Sequence, residues 1–375
     1  MPTVEEIQAA LATVNDPEIR RPITELDMVD GVSIDGGVVS VRILLTVAGC
    51  PMKDTLTRDV TAAVSRLDGV DEVRVDLGAM SAEQRQALQQ RLRGGQPAAM
   101  IPFAQPNSTT RVYAVASGKG GVGKSSVTVN LAAAMAAKGL SVGVVDADIY
   151  GHSVPRMLGV TDKPTQVEDM IMPPQAHGMK VISIGMFTNG NVPVVWRGPM
   201  LHRALEQFLS DVYWGDLDVL LLDLPPGTGD IAISVAQLIP GAEILVVTTP
   251  QVAAAEVAER AGAIALQTHQ QIVGVVENMA GLPCPHCGEM VDVFGTGGGA
   301  TVAERLSRAT GTKVPVLGSV PIDVRLREGG DTGRPLVLDA PDSPAGAALR
   351  AIADRLAVRS SSLVGRSLGL TPVGR

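Results

Sequence analysis

The sequence predicts an α/β fold in which a doubly wound, mostly parallel sheet is preceded by a small α/β domain. From Arg111 onward, short continuous apolar runs alternate with helical stretches, as expected for parallel strands that are buried on both faces. Residues 1–80 carry their own alternation of helix and strand patterns, and a stretch rich in Gly and Pro separates the two parts. With 375 residues, of which 45% are hydrophobic, the chain has enough material for two cores.

The small domain is predicted over residues 1–80. Apolar residues at helical spacing predict two helices, in "VEEIQAALATV" and "MKDTLTRDVTAAVSRL". The run "GVSIDGGVVSVRILLTV" predicts two strands joined at Asp35-Gly36-Gly37, because such residues favour tight hairpin turns. A third strand is predicted in "VDEVRVDL".

Residues 81–110 are predicted to connect the two domains, first as a charged, helix-like segment and then, over 94–110, as a Gly- and Pro-rich linker. The larger domain is predicted over residues 111–357. Its strands are expected in "RVYAVAS", "SVGVVDA", "VISIG", "LDVLLLDLP", "AEILVVTTP", "IVGVVENM" and "PVLGSVP". Residues 358–375 lack periodicity and are predicted to form a flexible tail.

Charge and composition argue against several classes of function. The formal net charge is −8 and no basic stripe stands out, so nucleic acid is not an expected partner. No stretch approaches the ~20 apolar residues of a membrane span, and the start has no apolar run of the signal-peptide type. We therefore expect a cytoplasmic protein with no membrane partner. The three cysteines do not make a disulfide framework, and a close pair favours metal or redox chemistry.

The strongest motif is a phosphate-binding loop between an apolar strand and a helix. The pattern G-x-x-x-x-G-K-[ST] is matched by Gly118, Gly123, Lys124 and Ser125. Glycines let backbone N–H groups turn toward phosphate oxygens, and the helix N-terminus adds the positive end of its dipole. Lys124 is expected to reach the terminal phosphates of ATP, and the Ser125 hydroxyl to ligate Mg²⁺. The residues predicted to bind ATP in this loop are Gly118, Lys119, Gly120, Gly121, Val122, Gly123, Lys124, Ser125 and Ser126.

Three aspartates fall where the predicted strands end. Asp146 and Asp148 lie in "VVDADIYGHS", and Asp223 lies in "LLLDLPPGTGD". A carboxylate at the carboxyl end of a parallel strand faces the ligand crevice. Any one of them could instead cap a helix, but three at such places favour a common site.

The octapeptide "GKGGVGKS", with Lys119 early in the loop, resembles the deviant Walker A motif of the MinD/ParA family of P-loop ATPases. The resemblance implies that Lys119 crosses a dimer interface and contacts nucleotide bound to the other subunit. It also implies that Asp223 holds Mg²⁺ through water, that Asp146 orders the metal shell and that Asp148 positions the attacking water. The implied catalytic set is Lys119, Lys124 and Asp148, and the implied magnesium set is Ser125, Asp146 and Asp223.

The same resemblance assigns residues around the nucleotide base and in a switch segment. Asn278, in "ENM", corresponds to an adenine-contacting position, and Pro321 and Asp323, in "VPID", correspond to a second base-side loop. Gly227 and Asp230 correspond to the second switch segment.

The stretch "GLPCPHCGEM" holds Cys284 and Cys287, which can be half of a metal site, a redox pair or two packing residues. Thiolates suit iron–sulfur clusters, zinc or Cu(I), and a [4Fe–4S] cluster or a tetrahedral Zn²⁺ takes about four ligands. A twofold dimer doubles two thiolates to four without any new residue. The Pro and Gly flanks indicate a loop, which favours a shared metal site, and His286 is expected to tune that site.

Further segments resemble the Mrp/ApbC family of iron–sulfur carrier proteins. They are residues 196–230, "VENMAGLPCPHCGE" at 276–289, and, in the first domain, "NDPEI" and "LTVAGCPM" with Cys50. The first domain thereby resembles a small domain shared with iron–sulfur assembly factors. The resemblance implies a homodimeric, slow ATPase that carries a [4Fe–4S] cluster on Cys284 and Cys287 to apo-protein clients. Zinc is a possible substitute for the cluster, and Cys50 is a possible accessory thiol.

Two other functions remain open at this stage. One is a MinD/ParA-like switch that organises other molecules in space and carries no cluster. The other is a zinc-stabilised dimer that only regulates its partners. The acidic balance disfavours a DNA-bound switch, and the tail is a poor match to an amphipathic membrane helix.

Overall fold

The computed structural model describes residues 2–17, 19, 21–46, 52–92, 100–148, 151–187, 198–227, 230–251, 265–284 and 286–357. The strands are β1 (Val29–Asp35), β2 (Val38–Leu45), β3 (Glu72–Ala79), β4 (Arg111–Ser117), β5 (Val142–Asp146), β6 (Thr165–Val167), β7 (Met170–Met172), β8 (Gln175–Ala176), β9 (Met179–Ser183), β10 (Val219–Asp223), β11 (Glu243–Thr248), β12 (Ile272–Asn278), β13 (Leu282–Pro283), β14 (Met290–Val291) and β15 (Val316–Val320). The helices are Val4–Leu11, Lys53–Val64, Ala82–Leu92, Lys124–Ala136, Val154–Met157, Gly198–Ser210, Asp230–Leu238, Gly298–Thr310, Val324–Thr332, Leu336–Asp339 and Pro344–Ala357, with short 3-10 turns at Pro102–Ala104 and Ile184–Phe187. Among the described residues, no helix combines the length and the apolar character needed to cross a bilayer.

The largest sheet has eight strands in the order β15-β12-β11-β4-β10-β5-β9-β8. Its neighbours pair in parallel, except that β8 runs antiparallel to β9. Parallel neighbours require crossover connections, and the helices between the strands supply them. The predicted doubly wound, mostly parallel sheet is confirmed, and each apolar run expected to be a strand is one.

Alternate residues of the central strands enter two different cores. In β4, Tyr113 and Val115 pack with the helix Lys124–Ala136, whereas Val112 and Ala114 pack on the opposite face. Burial on both faces explains why these strands are continuously apolar. Parallel pairing places the carboxyl ends of β4, β5, β10, β11, β12 and β15 along one edge of the sheet, where the loops can carry polar side chains.

The small sheet, in the order β1-β2-β3, confirms the predicted hairpin. Asp35 pairs with Val38 across a two-residue turn, and Gly36 adopts φ +57°, which glycine tolerates without strain. The β2 and β3 strands pair in parallel. The helix Ala82–Leu92 places Leu88 in the same core as the predicted strands and helices of this domain.

A hairpin that was not predicted joins the two parts. The strands β6 and β7 leave the large domain between β5 and β9, and Val167, Met170 and Met172 are buried in the core of the small domain. At the hairpin turn, Glu168 forms a 2.9 Å ion pair with Arg85. The three-residue strands are too short to show a clear period in the sequence, which is why the hairpin was missed.

Several predictions made from the sequence lie outside the described residues. These are the thiol at Cys50, the first part of the linker and the flexible tail at 358–375. The middle of the predicted switch segment, at 228–229, lies outside them as well.

We expect Met170→Ala to weaken the attachment of the small domain. Removing a buried methionine side chain costs about 2–5 kcal/mol, here in the free energy of the unfolding transition that reports the small domain. Denaturant unfolding followed by circular dichroism measures it. Gln166→Ala, at an exposed position of the same hairpin, serves as the control and should leave the midpoint unchanged. Equal midpoints for Met170→Ala and the wild type would contradict this docking.

Candidate functional site

The phosphate loop connects β4 to the helix Lys124–Ala136, as the motif predicts. Gly121 and Gly123 adopt φ +80° and +78°, a region that side chains other than glycine rarely enter. These conformations turn the loop so that the chain enters the helix directly at Lys124, with Gly123 at the N-cap. The positive end of the helix dipole therefore faces the loop, as anion binding requires.

Lys124 is buried against a carboxylate. Its Nζ lies 2.7 Å from Asp223 Oδ1, and the two side chains are 5% and 1% exposed. The contact is an ion pair by distance, yet within the described residues the amine makes no aligned hydrogen bond. A buried ammonium with unused N–H donors fits a lysine that also binds phosphate oxygens.

Two hydroxyl groups share the same carboxylate. Ser125 Oγ donates to Asp223 Oδ2 at 2.6 Å, and Thr128 Oγ1 donates to Asp223 Oδ1 at 2.9 Å. Ser125 was predicted from the motif, whereas Thr128 was not. Thr128 lies one helical turn after Lys124, so spacing on the helix is the signal that would have found it.

Asp146 ends β5 directly beside Asp223 of β10. It accepts hydrogen bonds from Ser183 Oγ at 3.1 Å and from the backbone N–H groups of Asp148 and Val154 at 3.2 and 3.3 Å. Burial, and then the charge of Asp223, hold the pKa of Asp146 well above its usual value, although these hydrogen bonds oppose the shift. The two neighbouring carboxylates therefore favour the arrival of a cation.

The oxygen atoms of Ser125, Asp146 and Asp223 fit Mg²⁺, which takes oxygen ligands and is held in nucleotide sites by a few such groups together with phosphates. A divalent ion would also relieve the repulsion that raises the pKa of Asp146. Asp148 is placed slightly apart from this set. Its Oδ1 accepts from the N–H of Gly151 at 3.1 Å, and the residue lines the phosphate end of the cleft.

The cleft consists of two connected cavities along the carboxyl edge of the large sheet. The phosphate end has a volume of about 210 Å³ and is lined by the loop from Lys119 to Ser126 together with Asp148. The other end has a volume of about 380 Å³ and is lined by Asn278, Pro321 and Asp323 among others. Gly123, Ser126, Ser153 and Met157 line both. The structure thus brings the predicted phosphate-side and base-side residues to one cleft.

Asn278 contacts the phosphate loop directly. Its Nδ2 donates to the carbonyl of Val122 at 2.9 Å, and a Cβ on Gly123 would lie only 2.3 Å from that nitrogen. Asp323 has a second role as the N-cap of the helix Val324–Thr332, where its side chain accepts from the backbone N–H of Arg325. Hydrogen bonding from the Arg325 side chain lowers the pKa of Asp323.

The early lysine of the loop, Lys119, is bonded within its own subunit. Its Nζ donates to Gln251 Oε1 at 2.5 Å. Gln251 follows β11, which pairs with β4, so the two residues meet at the same edge of the sheet. The sequence pattern contained no signal for this partner. Among the predicted switch residues, Gly227 donates to the carbonyl of Ser117 at 2.8 Å, and Asp230 begins a helix.

Cys284 and Cys287 lie at the tip of a short hairpin formed by β13 and β14. The backbone N–H of Cys284 donates to Glu289 O at 2.9 Å, and that of Gly288 donates to Cys284 O at 2.8 Å. Cys284 is half-buried and Cys287 is exposed. The backbone N–H of His286, then the N–H and thiol of Cys287, lower the pKa of Cys284. Because the thiolate is the form that binds metal, this turn prepares Cys284 as a ligand.

The chain between β12 and the helix Gly298–Thr310 carries the two cysteines and is called the cysteine segment. Its start is fastened to the base-side loop that contains Pro321. Ala280 N–H donates to Val320 O at 2.9 Å, and Ile322 N–H donates to Gly281 O at 2.8 Å. These two bonds tie the chain entering the cysteine hairpin to residues that flank Pro321 in the cleft wall. The hairpin and the base end of the cleft therefore share one backbone framework.

The end of the cysteine segment is fastened by Glu277, a buried residue that sequence reasoning did not select. Its Oε1 accepts from Gly299 N–H at 2.7 Å, where the helix Gly298–Thr310 begins, and its Oε2 accepts from Ser319 Oγ at 2.9 Å. A Cβ on Gly299 would lie 2.8 Å from the Glu277 side chain, so only glycine permits this close approach. Glu277 precedes Asn278, which contacts the phosphate loop.

Known proteins match this chain over both of its parts. The family model described as NUBPL iron-transfer P-loop NTPase (ParA) matches residues 108–357, and that of iron–sulfur cluster assembly proteins matches residues 4–77. The iron–sulfur cluster carrier protein of Mycobacterium tuberculosis is 66% identical over 370 residues, which cover 98% of this chain and 97% of that protein. The protein of the same name from Deinococcus radiodurans is 43% identical over 350 residues, 93% of each. A nucleotide-binding protein from Archaeoglobus fulgidus, solved in complex with ADP, is 38% identical with a TM-score of 0.51, over 60% of this chain and 86% of that one.

We expect alkylation of Cys284 by iodoacetamide to persist to lower pH than alkylation of an ordinary thiol. A lowered pKa means that more thiolate is present at a given pH, so the midpoint of the rate-against-pH profile should move downward. Peptide mass spectrometry of the metal-free protein measures the rate at Cys284 itself. The same protein in denaturant, where the N–H contacts are lost, is the control. Identical profiles for the folded and the denatured chain would refute the role given to these N–H groups.

Proposed function

Because this chain belongs to the NUBPL iron-transfer (ParA) family of P-loop NTPases, we propose that it is an ATP-hydrolysing carrier of a [4Fe–4S] cluster. In this proposal a cytoplasmic homodimer holds the cluster between its two copies and delivers it to apo-protein clients. The observation that carries the proposal is the cysteine hairpin, a pair of thiols in a turn that is fastened by hydrogen bonds to the wall of the cleft. The carrier proteins that share 66% and 43% of its residues support the same function.

The phosphate end of the cleft supports ATP hydrolysis. The buried ammonium of Lys124 neutralises charge on the terminal phosphates, and the backbone N–H groups of the loop bind their oxygens. Asp148, which lines the same cavity, orients the attacking water. A Mg²⁺ ion held by Ser125, Asp146 and Asp223 supplies further charge neutralisation at the phosphates. Positioning and electrostatic stabilisation are the main contributions that such a reaction needs from a protein.

The cysteine hairpin supports a site shared by two copies. Within the described residues, no group of three or more His, Cys, Asp or Glu side chains is placed to hold a metal. A second copy related by a twofold axis adds two thiolates to Cys284 and Cys287, which completes the usual ligand number of a cluster. Apolar side chains in the second strand of the hairpin and just after it are exposed in one copy: Met290, Val291, Val293 and Phe294. A second copy would cover them and shield the cluster from water.

Exposure of Cys287 suits transfer, since a client thiol must reach the cluster to displace a ligand. The small domain matches iron–sulfur cluster assembly proteins over residues 4–77, which supports a role for it in receiving clusters from assembly factors. In this proposal Cys50 acts as an accessory thiol during that exchange.

The fastening of the hairpin supports coupling between nucleotide and cluster. Asn278 touches the phosphate loop, Glu277 holds the far end of the cysteine segment, and the base-side loop holds the near end. Bound ATP that draws Asn278 toward itself would shift the neighbouring anchor at Glu277. ATP that draws Pro321 toward itself would shift the anchor at the start of the cysteine segment. By linkage, if a bound nucleotide changes the affinity for the cluster by a given factor, a bound cluster changes the affinity for the nucleotide by the same factor.

We expect anaerobic reconstitution with iron and sulfide to load about four iron and four sulfide per dimer, with the broad visible absorbance of a cluster. Cys284→Ala and Cys287→Ala should each abolish that loading, because only two of the four thiolate ligands of the dimer then remain. Elemental analysis and absorbance measure it, and Cys50→Ala is the matched control that should retain the cluster. Loading that survives in both hairpin variants would exclude this site. Zinc in anaerobically prepared protein, with no uptake of iron, would instead identify a zinc-stabilised dimer.

We expect Glu277→Ala to retain cluster loading and ATP binding but to lose the effect of ATP on cluster transfer, because one anchor of the hairpin is gone. Transfer rates to an apo-ferredoxin with ATP, with ADP and without nucleotide measure the coupling. Glu277→Gln is the matched control, since its amide still offers an acceptor to Gly299 and a donor to Ser319. Lys124→Ala should abolish the ATP effect by a different route, through lost phosphate binding. Wild-type transfer that is the same in all three nucleotide states would contradict coupling altogether.

A further inference from the structure

The contact between Lys119 and Gln251 presents a conflict with the proposed dimer. Lys119 is expected to reach nucleotide in the other subunit, yet its ammonium donates to Gln251 Oε1 of its own subunit at 2.5 Å. An ammonium held against Gln251 of its own subunit is not extended toward a partner subunit, so the two contacts compete for Lys119.

The backbone just before Gln251 is closely packed. Gln251 follows Pro250, whose φ is restricted by its ring, and the backbone of Thr249 and Pro250 is packed against the start of the helix Gly298–Thr310. A Cβ on Gly298 would lie 2.5 Å from Pro250 O and 2.6 Å from Thr249 O, so the two segments touch without a side chain between them. On the other side, Ser117 Oγ donates to Lys119 O at 3.1 Å and restrains the lysine backbone.

The chemistry of the acceptor suits a reversible hold. An amide oxygen is neutral, so it binds an ammonium less strongly than a phosphate oxygen or a carboxylate does. A nucleotide phosphate offered by a second copy would therefore outcompete Gln251 for the ammonium.

Resting on the proposed function, we infer that Gln251 is a positioning residue that holds Lys119 inside the resting subunit and thereby weakens ATP-dependent dimerisation. Removing the amide frees the lysine and lowers the dissociation constant of the dimer. Replacing it by a carboxylate of similar size binds the lysine more strongly and raises that constant. Both effects act through Lys119, so they vanish when that side chain is absent.

The test measures the dimer dissociation constant of the full-length protein in Mg·ATP by analytical ultracentrifugation, together with ATP hydrolysis per subunit across protein concentrations. We expect Gln251→Ala to tighten the dimer by roughly tenfold to a hundredfold and Gln251→Glu to weaken it to a similar extent, the size of one hydrogen bond to a charged group. In the Lys119→Ala background, neither change should have an effect. Gln267→Ala, at an exposed glutamine elsewhere, is the matched control.

The other outcomes separate this inference from the proposed function. Gln251→Ala that weakens the dimer as Lys119→Ala does would show that the amide assists the lysine, which overturns the hold. Effects that persist without Lys119, or Gln251 variants that behave as wild type, overturn it as well. All of these leave the carrier proposal standing. A wild-type protein that does not dimerise with ATP, or whose dimer is unchanged by Lys119→Ala, would sink the nucleotide-linked dimer and this inference with it.

Discussion

Two buried carboxylates on neighbouring strands are the constraint on which the rest of the site depends. Asp146 and Asp223 are fully buried and lie side by side where β5 and β10 end. Their charge is offset by the ammonium of Lys124 and by hydroxyl donors from the same helix. An uncompensated buried charge costs several kcal/mol, so these carboxylates need the ammonium of Lys124 beside them. The helix that carries Lys124 therefore begins next to the ends of β5 and β10. The left-handed glycines of the phosphate loop are the means by which the chain reaches it.

The cysteine hairpin depends on the same edge of the sheet. The chain leaves β12 at Asn278, whose side chain is bonded to the phosphate loop, and forms the cysteine hairpin. It then enters the helix Gly298–Thr310, where the N–H of Gly299 is bonded to Glu277 of β12. A short hairpin such as this has little stability of its own. Its position is therefore set by the strands around it, and this dependence is the physical basis of the proposed coupling between nucleotide and thiolates.

Much of the fold was predictable, because burial on both faces leaves a direct record in a sequence. The continuous apolar runs from Arg111 onward, the Gly36-Gly37 turn and the phosphate loop were each predicted and confirmed. The β6–β7 hairpin was not, since its strands are too short to show a period and its apolar residues are buried by a different domain. Behind the wall of the cleft, Thr128 and Glu277 were missed, because hydroxyl and acidic residues in helices and strands usually lie on the protein surface.

The sequence by itself determined the class of the sheet, the loop that begins its first helix and the presence of two thiols in a turn. Each of these is local, so neighbouring residues along the chain suffice to specify it. Only the tertiary structure decided that Thr128 meets Asp223, 95 residues away, and that Lys119 meets Gln251, 132 residues away. Such contacts arise because parallel pairing brings the ends of distant strands to one edge. Side-chain packing then selects which polar groups meet there, and no spacing along the chain records that choice.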